Sequence, residues 1–120
     1  DGWLVTPNIA PEGAAKMARY YLERCQAHGR KPTSIGLRRD LYVGESSAEA
    51  QAVKAAAVAR GYRGFDPATL IAGTVDEVVA VLRPFAAMGY TDVLVRHLTT
   101  DQAKVLGSLK RLAEVRAELT

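Results

Sequence analysis

The stretch from Ala72 to Arg96 carries the clearest periodicity in the chain. Val75, Val78, Val79, Leu82, Phe85 and Ala86 recur at helical spacing behind Thr74 and Glu77, the spacing of a capping box that ties the first turn to its own side chains. Pro84 lies late in that helix, where a missing N–H predicts a bend. Gly89 ends the pattern, and the run Val93, Leu94, Val95 predicts a buried strand.

The same grammar recurs upstream. Trp3, Leu4 and Val5, bounded by Gly2 and Pro7, predict a short strand, and Pro11 opens a helix that carries Ala14, Ala18, Leu22 and Cys25 on one face until His28 and Gly29. From Ile35 to Val43 the period is two. Ile35, Leu37, Leu41 and Val43 share one side, and Gly36, Arg38, Asp40 and Tyr42 share the other. Ser46 and Glu49 predict a second capping box ahead of an alanine-rich helix, whose Ala52, Ala56 and Ala59 would let it lie close to what it covers. Residues 62–72 read as a connection with a helical turn after Asp66. Thr99 and Gln102 predict a third box, opening a last helix that buries Ala103, Leu106, Leu109, Leu112 and Val115.

Strands separated by helices imply an α/β fold with a parallel sheet of βα units. Three parallel strands alone leave both sheet edges and much of one face uncovered. At about 40 residues per unit, eight units would fill a (β/α)8 barrel. The chain, residues 1–120, therefore reads as one α/β segment, the last three strands of a TIM-type barrel. An extra helix lies between the second and third of them.

Composition narrows the function classes. With 48% hydrophobic residues the chain can bury a core, and 16 Lys and Arg against 13 Asp and Glu are spread along it rather than clustered. A pI near 9.2 without a dense basic stripe argues against a nucleic-acid binder. Cys25 is single, so no intrachain disulfide forms, and no apolar run approaches a membrane span or a signal peptide. These features predict a cytoplasmic setting. The start at Asp1, directly before an apolar strand, reads as a fragment or a processed chain.

Three ordered features carry a resemblance: Asp1-Gly2-Trp3 opening a strand, Arg38 to Gly44 (RRDLYVG) before a capped alanine-rich helix, and Gly73-Thr74 opening a helix that leads to VLVR. Together they resemble the C-terminal portion of the luciferase-like, flavin-dependent monooxygenase family, which includes enzymes using deazaflavin F420. The resemblance implies strands six, seven and eight of a barrel, and FMN or F420 chemistry on a small organic substrate. The family's catalytic residues on early strands, and its phosphate-binding turn before the Asp-Gly-Trp strand, have no counterpart here. No catalytic residue is carried over, and no cofactor is expected to bind this chain alone. The partners implied are the missing N-terminal barrel half or another copy in a homo-oligomer. The alternative is a self-associating, non-enzymatic α/β module.

In a barrel, Arg38, Asp40 and Tyr42 would face inward, with Arg38 and Asp40 either orienting a ligand or filling the interior as an ion pair. Thr6 follows the first strand and Arg96, with His97 and Thr99, the last, at the end where barrel sites gather. Trp3 could lie against a flat cofactor or pack under a helix. These six, Trp3, Thr6, Arg38, Asp40, Tyr42 and Arg96, are the binding candidates. His97 lacks companions at metal-ligand spacing, so no metal site is expected. Gly73-Thr74 could receive an anion at a helix start, but the preferred reading is that Thr74 is only the cap.

Overall fold

A computed structural model describes residues 2–120; Asp1, the first residue of the Asp-Gly-Trp motif, lies outside the described residues. Four strands and four helices follow in the order β1 (Trp3–Leu4), α1 (Pro11–Ala27), β2 (Ile35–Val43), α2 (Ser47–Ala59), β3 (Ile71–Gly73), α3 (Val75–Ala87), β4 (Asp92–His97) and α4 (Gln102–Leu119). Two short 3-10 turns, Tyr62–Gly64 and Pro67–Thr69, precede β3.

All strand pairings are parallel, and β2 takes part in every one. Gly36 is partnered by both Leu4 and Asp92, and Leu41 by both Ile71 and His97. A residue has only two lateral neighbours, so β4 runs along one edge of β2 while β1 and β3 occupy successive parts of the other. The sheet is open. Strand β3 overlaps the end of the predicted connection, so the three strands expected from the sequence are four. Three residues, Ile-Ala-Gly, are too few to establish a period.

Parity along β2 places the core as the alternation predicts. Ile35, Leu37, Leu41 and Val43 are buried beneath α1, α3 and α4 with Ala14, Ala18, Val78, Leu82, Phe85 and Val115. A second cluster forms on the opposite face, where Tyr42 packs with Ala50, Val53 and Ala57 of α2 and with Leu70 and Leu98. Helix α2 therefore covers only the C-terminal end of that face. Its buried small residues are Ala50 and Ala57. Ala52, Ala56 and Ala59, expected to make the close approach, are exposed.

Three further expectations are corrected. Val93, Leu94 and Val95 are 39%, 47% and 36% exposed, because β4 pairs with β2 alone and its outer edge is uncovered. In α4, Leu106 and Leu109 are about half exposed, and the packed stripe is Ser108, Leu112, Val115 and Leu119. Ser108 sets that rotation by accepting a 3.0 Å bond from the Val43 N–H, which turns the predicted apolar face outward. The cap of α4 is Asp101, whose Oδ1 accepts from the Lys104 N–H at 2.9 Å, while Thr99 Oγ1 accepts from the Asp101 N–H.

The other two caps differ from each other. At α3 both halves of the box form, Thr74 Oγ1 with the Glu77 N–H and Glu77 Oε2 with the Thr74 N–H. At α2 Ser46 caps the Glu49 N–H, but the Glu49 carboxylate receives the Tyr42 hydroxyl at 2.6 Å instead of returning to the cap. A buried phenol beneath the helix is the stronger claimant, since Ser46 lies at the surface where water serves its N–H.

Candidate functional site

The face of the sheet turned away from α1, α3 and α4 is the place where polar chemistry gathers. In-register parallel partners point to one side, so Leu4, Gly36, Arg38, Asp40, Leu94 and Arg96 share this face. Leu4 and Leu94 lean over Gly36, where an added Cβ would come within 2.8 Å of Leu4 Cδ1. Both leucines are 47% exposed. Toward the C-terminal ends of the strands the surface becomes charged.

Asp40 is 2% exposed and is not paired with Arg38. Its Oδ2 instead accepts from the Tyr62 hydroxyl at 2.6 Å and from Arg63 Nη1 at 3.0 Å. Side chains two residues apart on a strand run parallel and do not converge, whereas the 3-10 turn after α2 reaches over the sheet and delivers both donors from above. Gly61 and Gly64 make that turn possible with φ of +66° each, and Arg63 itself is held at +48°. A non-glycine residue in this region is strained, and its stacking 4.6 Å over Phe65 and its bond to Asp40 hold it there. Burial and the Asp40 carboxylate push the Tyr62 phenol up to about 12, partly offset by the nearby charges of Arg96 and Arg63.

Beyond this cluster lies a cleft of about 510 Å3, with Arg60 and Tyr62 on one side and Arg96, His97, Thr99 and Thr100 on the other. His97 is fixed from beneath. Ser108 Oγ accepts from the Val43 N–H and also lies 2.9 Å from His97 Nε2, so one hydroxyl ties the imidazole to the end of β2. Burial pulls the imidazole below its ordinary value, which favours the uncharged ring. Arg111, which is not part of the cleft lining, donates to the Val43 carbonyl at 2.9 Å and pairs with Glu45 at 3.0 Å.

A larger cavity of about 690 Å3 lies beside the free edge of β4, between α3 and α4. Leu82, Phe85, Val93, Val95, Leu112 and Leu119 give it apolar walls. It has the character of a packing surface rather than of a reaction site.

The six binding candidates are thus divided. Arg38, Asp40 and Arg96 share the open face, with Arg38 half-buried and Arg96 exposed. Tyr42 is on the same face but is sealed beneath α2, its phenol pushed up to about 12 by burial and by Glu49. Trp3 lies with Ile35 on the helix side, stacked on Tyr21 at 5.7 Å and tilted against Tyr90 at 6.2 Å. Thr6 is exposed in the loop after β1 and joins none of these groups. Among the described residues no cluster of His, Cys, Asp or Glu could hold a metal, and no helix is long and apolar enough to cross a membrane.

Sequence reasoning missed Tyr62, Arg63, Arg60 and Arg39. The doublet Tyr62-Arg63 sits between two glycines, a visible turn signal whose target 22 residues away has no local trace. Arg39 is the opposite case, since its parity puts it among Leu37 and Leu41 on the apolar side. It is 2% exposed, donates to the carbonyls of Pro7 at 3.3 Å and Ile9 at 2.7 Å, and lies 5.0 Å over the Phe85 ring. The desolvated guanidinium, its pKa lowered by burial, moors the loop after β1 to the sheet.

No family model matches the chain, and no curated protein matches it.

Proposed function

We propose that this chain is the closing segment of a luciferase-like (β/α)8 oxidoreductase, a flavin- or F420-dependent enzyme acting on a small organic substrate in a cytoplasmic setting. The observation that carries the reading is the uncovered face. Parallel strands backed by helices on one side leave Leu4, Arg38, Leu94 and Arg96 open on the other, and among the described residues no strand pairs with the outer edge of β4. A barrel's remaining strands would cover both.

The residues present fit one wall of a flavin site. Leu4 and Leu94 over Gly36 give an apolar surface for a ring edge, and Arg38 gives a charge beside it. Bound there, the cofactor would supply hydride or oxygen chemistry to a substrate at the C-terminal ends of the strands. The chain's own part in this wall is structural: Asp40, Tyr62 and Arg63 stiffen it through the bonds that Asp40 accepts. The isolated chain is therefore catalytically incomplete.

Complementation tests this. Mixed with the first five strands of a luciferase-like barrel, the chain should form a one-to-one complex that binds FMN or F420, while the chain alone binds neither. Tight binding with turnover by the chain alone, or no association at all, would overturn the reading. The same free edge favours a second reading, a self-associating module without enzymatic activity. Sedimentation at micromolar concentration separates the two, since a persistent monomer removes the second.

A further inference from the structure

We propose that the cleft between Arg60 and Arg96 binds a small organic oxyanion, a carboxylate or a phosphate ester, as the recognition group of the substrate. This rests on reading the C-terminal ends of the strands as the ligand side, and it adds the ligand's chemical class.

Arg60, at the C-terminal cap of α2, and Arg96, near the end of β4, enter one cleft from different elements. Among the described residues no carboxylate lies within ion-pair reach of either. Of the two nearby acids only Asp101 lines the cleft, and each already accepts a hydrogen bond. Asp40 takes Tyr62 and Arg63, and Asp101 caps α4 through the Lys104 N–H. Thr99 Oγ1 accepts from the Asp101 N–H, which leaves its hydroxyl proton to donate, and Thr100 adds a second hydroxyl. Two arginines and two threonines thus line a space of about 510 Å3 against the single carboxylate of Asp101, an excess of cationic donors. Planar guanidinium forks match the paired oxygens of carboxylate or phosphate.

The test uses the full chain and simple ions. Inorganic phosphate, acetate and chloride are titrated separately at matched ionic strength while backbone amide and arginine side-chain NMR signals are followed. Phosphate or acetate should produce saturable shifts centred on Arg60, Arg96, Thr99 and Thr100, with a Kd on the order of 1 mM, and chloride should not. Preference for phosphate identifies a phosphate ester, and preference for acetate a carboxylate. Arg60→Gln and Arg96→Gln should each weaken binding by about tenfold with unchanged circular dichroism, and Arg19→Gln on the distant α1 should leave it intact. Shifts that do not saturate or that spread over all arginines mean an adventitious ion only, and they overturn the proposal, as does the absence of shifts in the cleft. Because the probes are simple ions, failure of barrel complementation leaves this result standing, and loss of anion binding leaves complementation untouched.

Discussion

The Tyr62 hydroxyl donates to Asp40 Oδ2 at 2.6 Å, joining a turn beyond α2 to the centre of β2. Arg63 shares the same oxygen, so removing the phenol leaves the carboxylate paired but short of one donor. Tyr62→Phe is expected to cost about 2 kcal/mol in urea unfolding, the range for a hydrogen bond to a charged group. An unchanged midpoint would show that Arg63 alone satisfies Asp40.

The same phenol makes stability depend on alkaline pH. Tyr62 and Tyr42 both titrate near 12 against an ordinary value of 10.0, so the folded chain holds protons that the unfolded chain releases. Stability from these groups is complete below about pH 10 and declines as pH rises from there through 12. Ultraviolet titration should show Tyr42 and Tyr62 ionising near 12, with Tyr21 and Tyr90 also raised above 10.0, and Tyr62→Phe should remove one of the pair near 12.

Acid acts through His97. Its folded value lies below 6.5, so between the two values the unfolded chain binds the extra proton. Stability is intact above pH 6.5 and falls as pH drops through 6.5 toward the folded value. The expected chemical-denaturation profile slopes in that window, and His97→Asn should flatten it. A slope that survives the substitution would assign the effect to another group.

Arg39→Met tests the buried guanidinium. The thioether fills much of the space over Phe85 but leaves the Pro7 and Ile9 carbonyls without their donor, a loss of about 3 kcal/mol. Hydrogen exchange should rise in residues 6–10 while α3 stays protected. Equal stability of the two proteins would mean that solvent takes over both carbonyls.

Leu94→Lys addresses the open face. Leu94 is 47% exposed in the isolated chain, so the substitution should change its stability by less than about 0.5 kcal/mol. Association with a barrel half should be abolished, because the ammonium would be buried without a partner. Retained binding in a pull-down would place the contact elsewhere.

Much of this architecture is legible along the chain, and the failures have physical causes. Alternation from Ile35 to Val43 identifies β2 and its two faces, and Thr74 with Glu77 marks the start of α3, because both signals are local. The partner of Asp40 was not legible, since it depends on where a turn after α2 lands. Leu106 and Leu109 misled for a related reason: hydrophobic spacing orients a helix only when no buried hydrogen bond competes, and Ser108 with Val43 does compete. Arg96 was recognisable from its place after a strand, whereas Arg60, at the end of an alanine-rich helix, gave no signal of joining it.

That β2 is the shared partner of every other strand has a temporal consequence. During synthesis, a ribosome-bound chain displays one whole edge of β2 until residue 97 has emerged, because β4 is its neighbour there. Pairings that wait on distant segments close slowly. For that interval the central strand is a template for whichever extended segment arrives first, and the order of emergence governs how much of the chain reaches the native pairing.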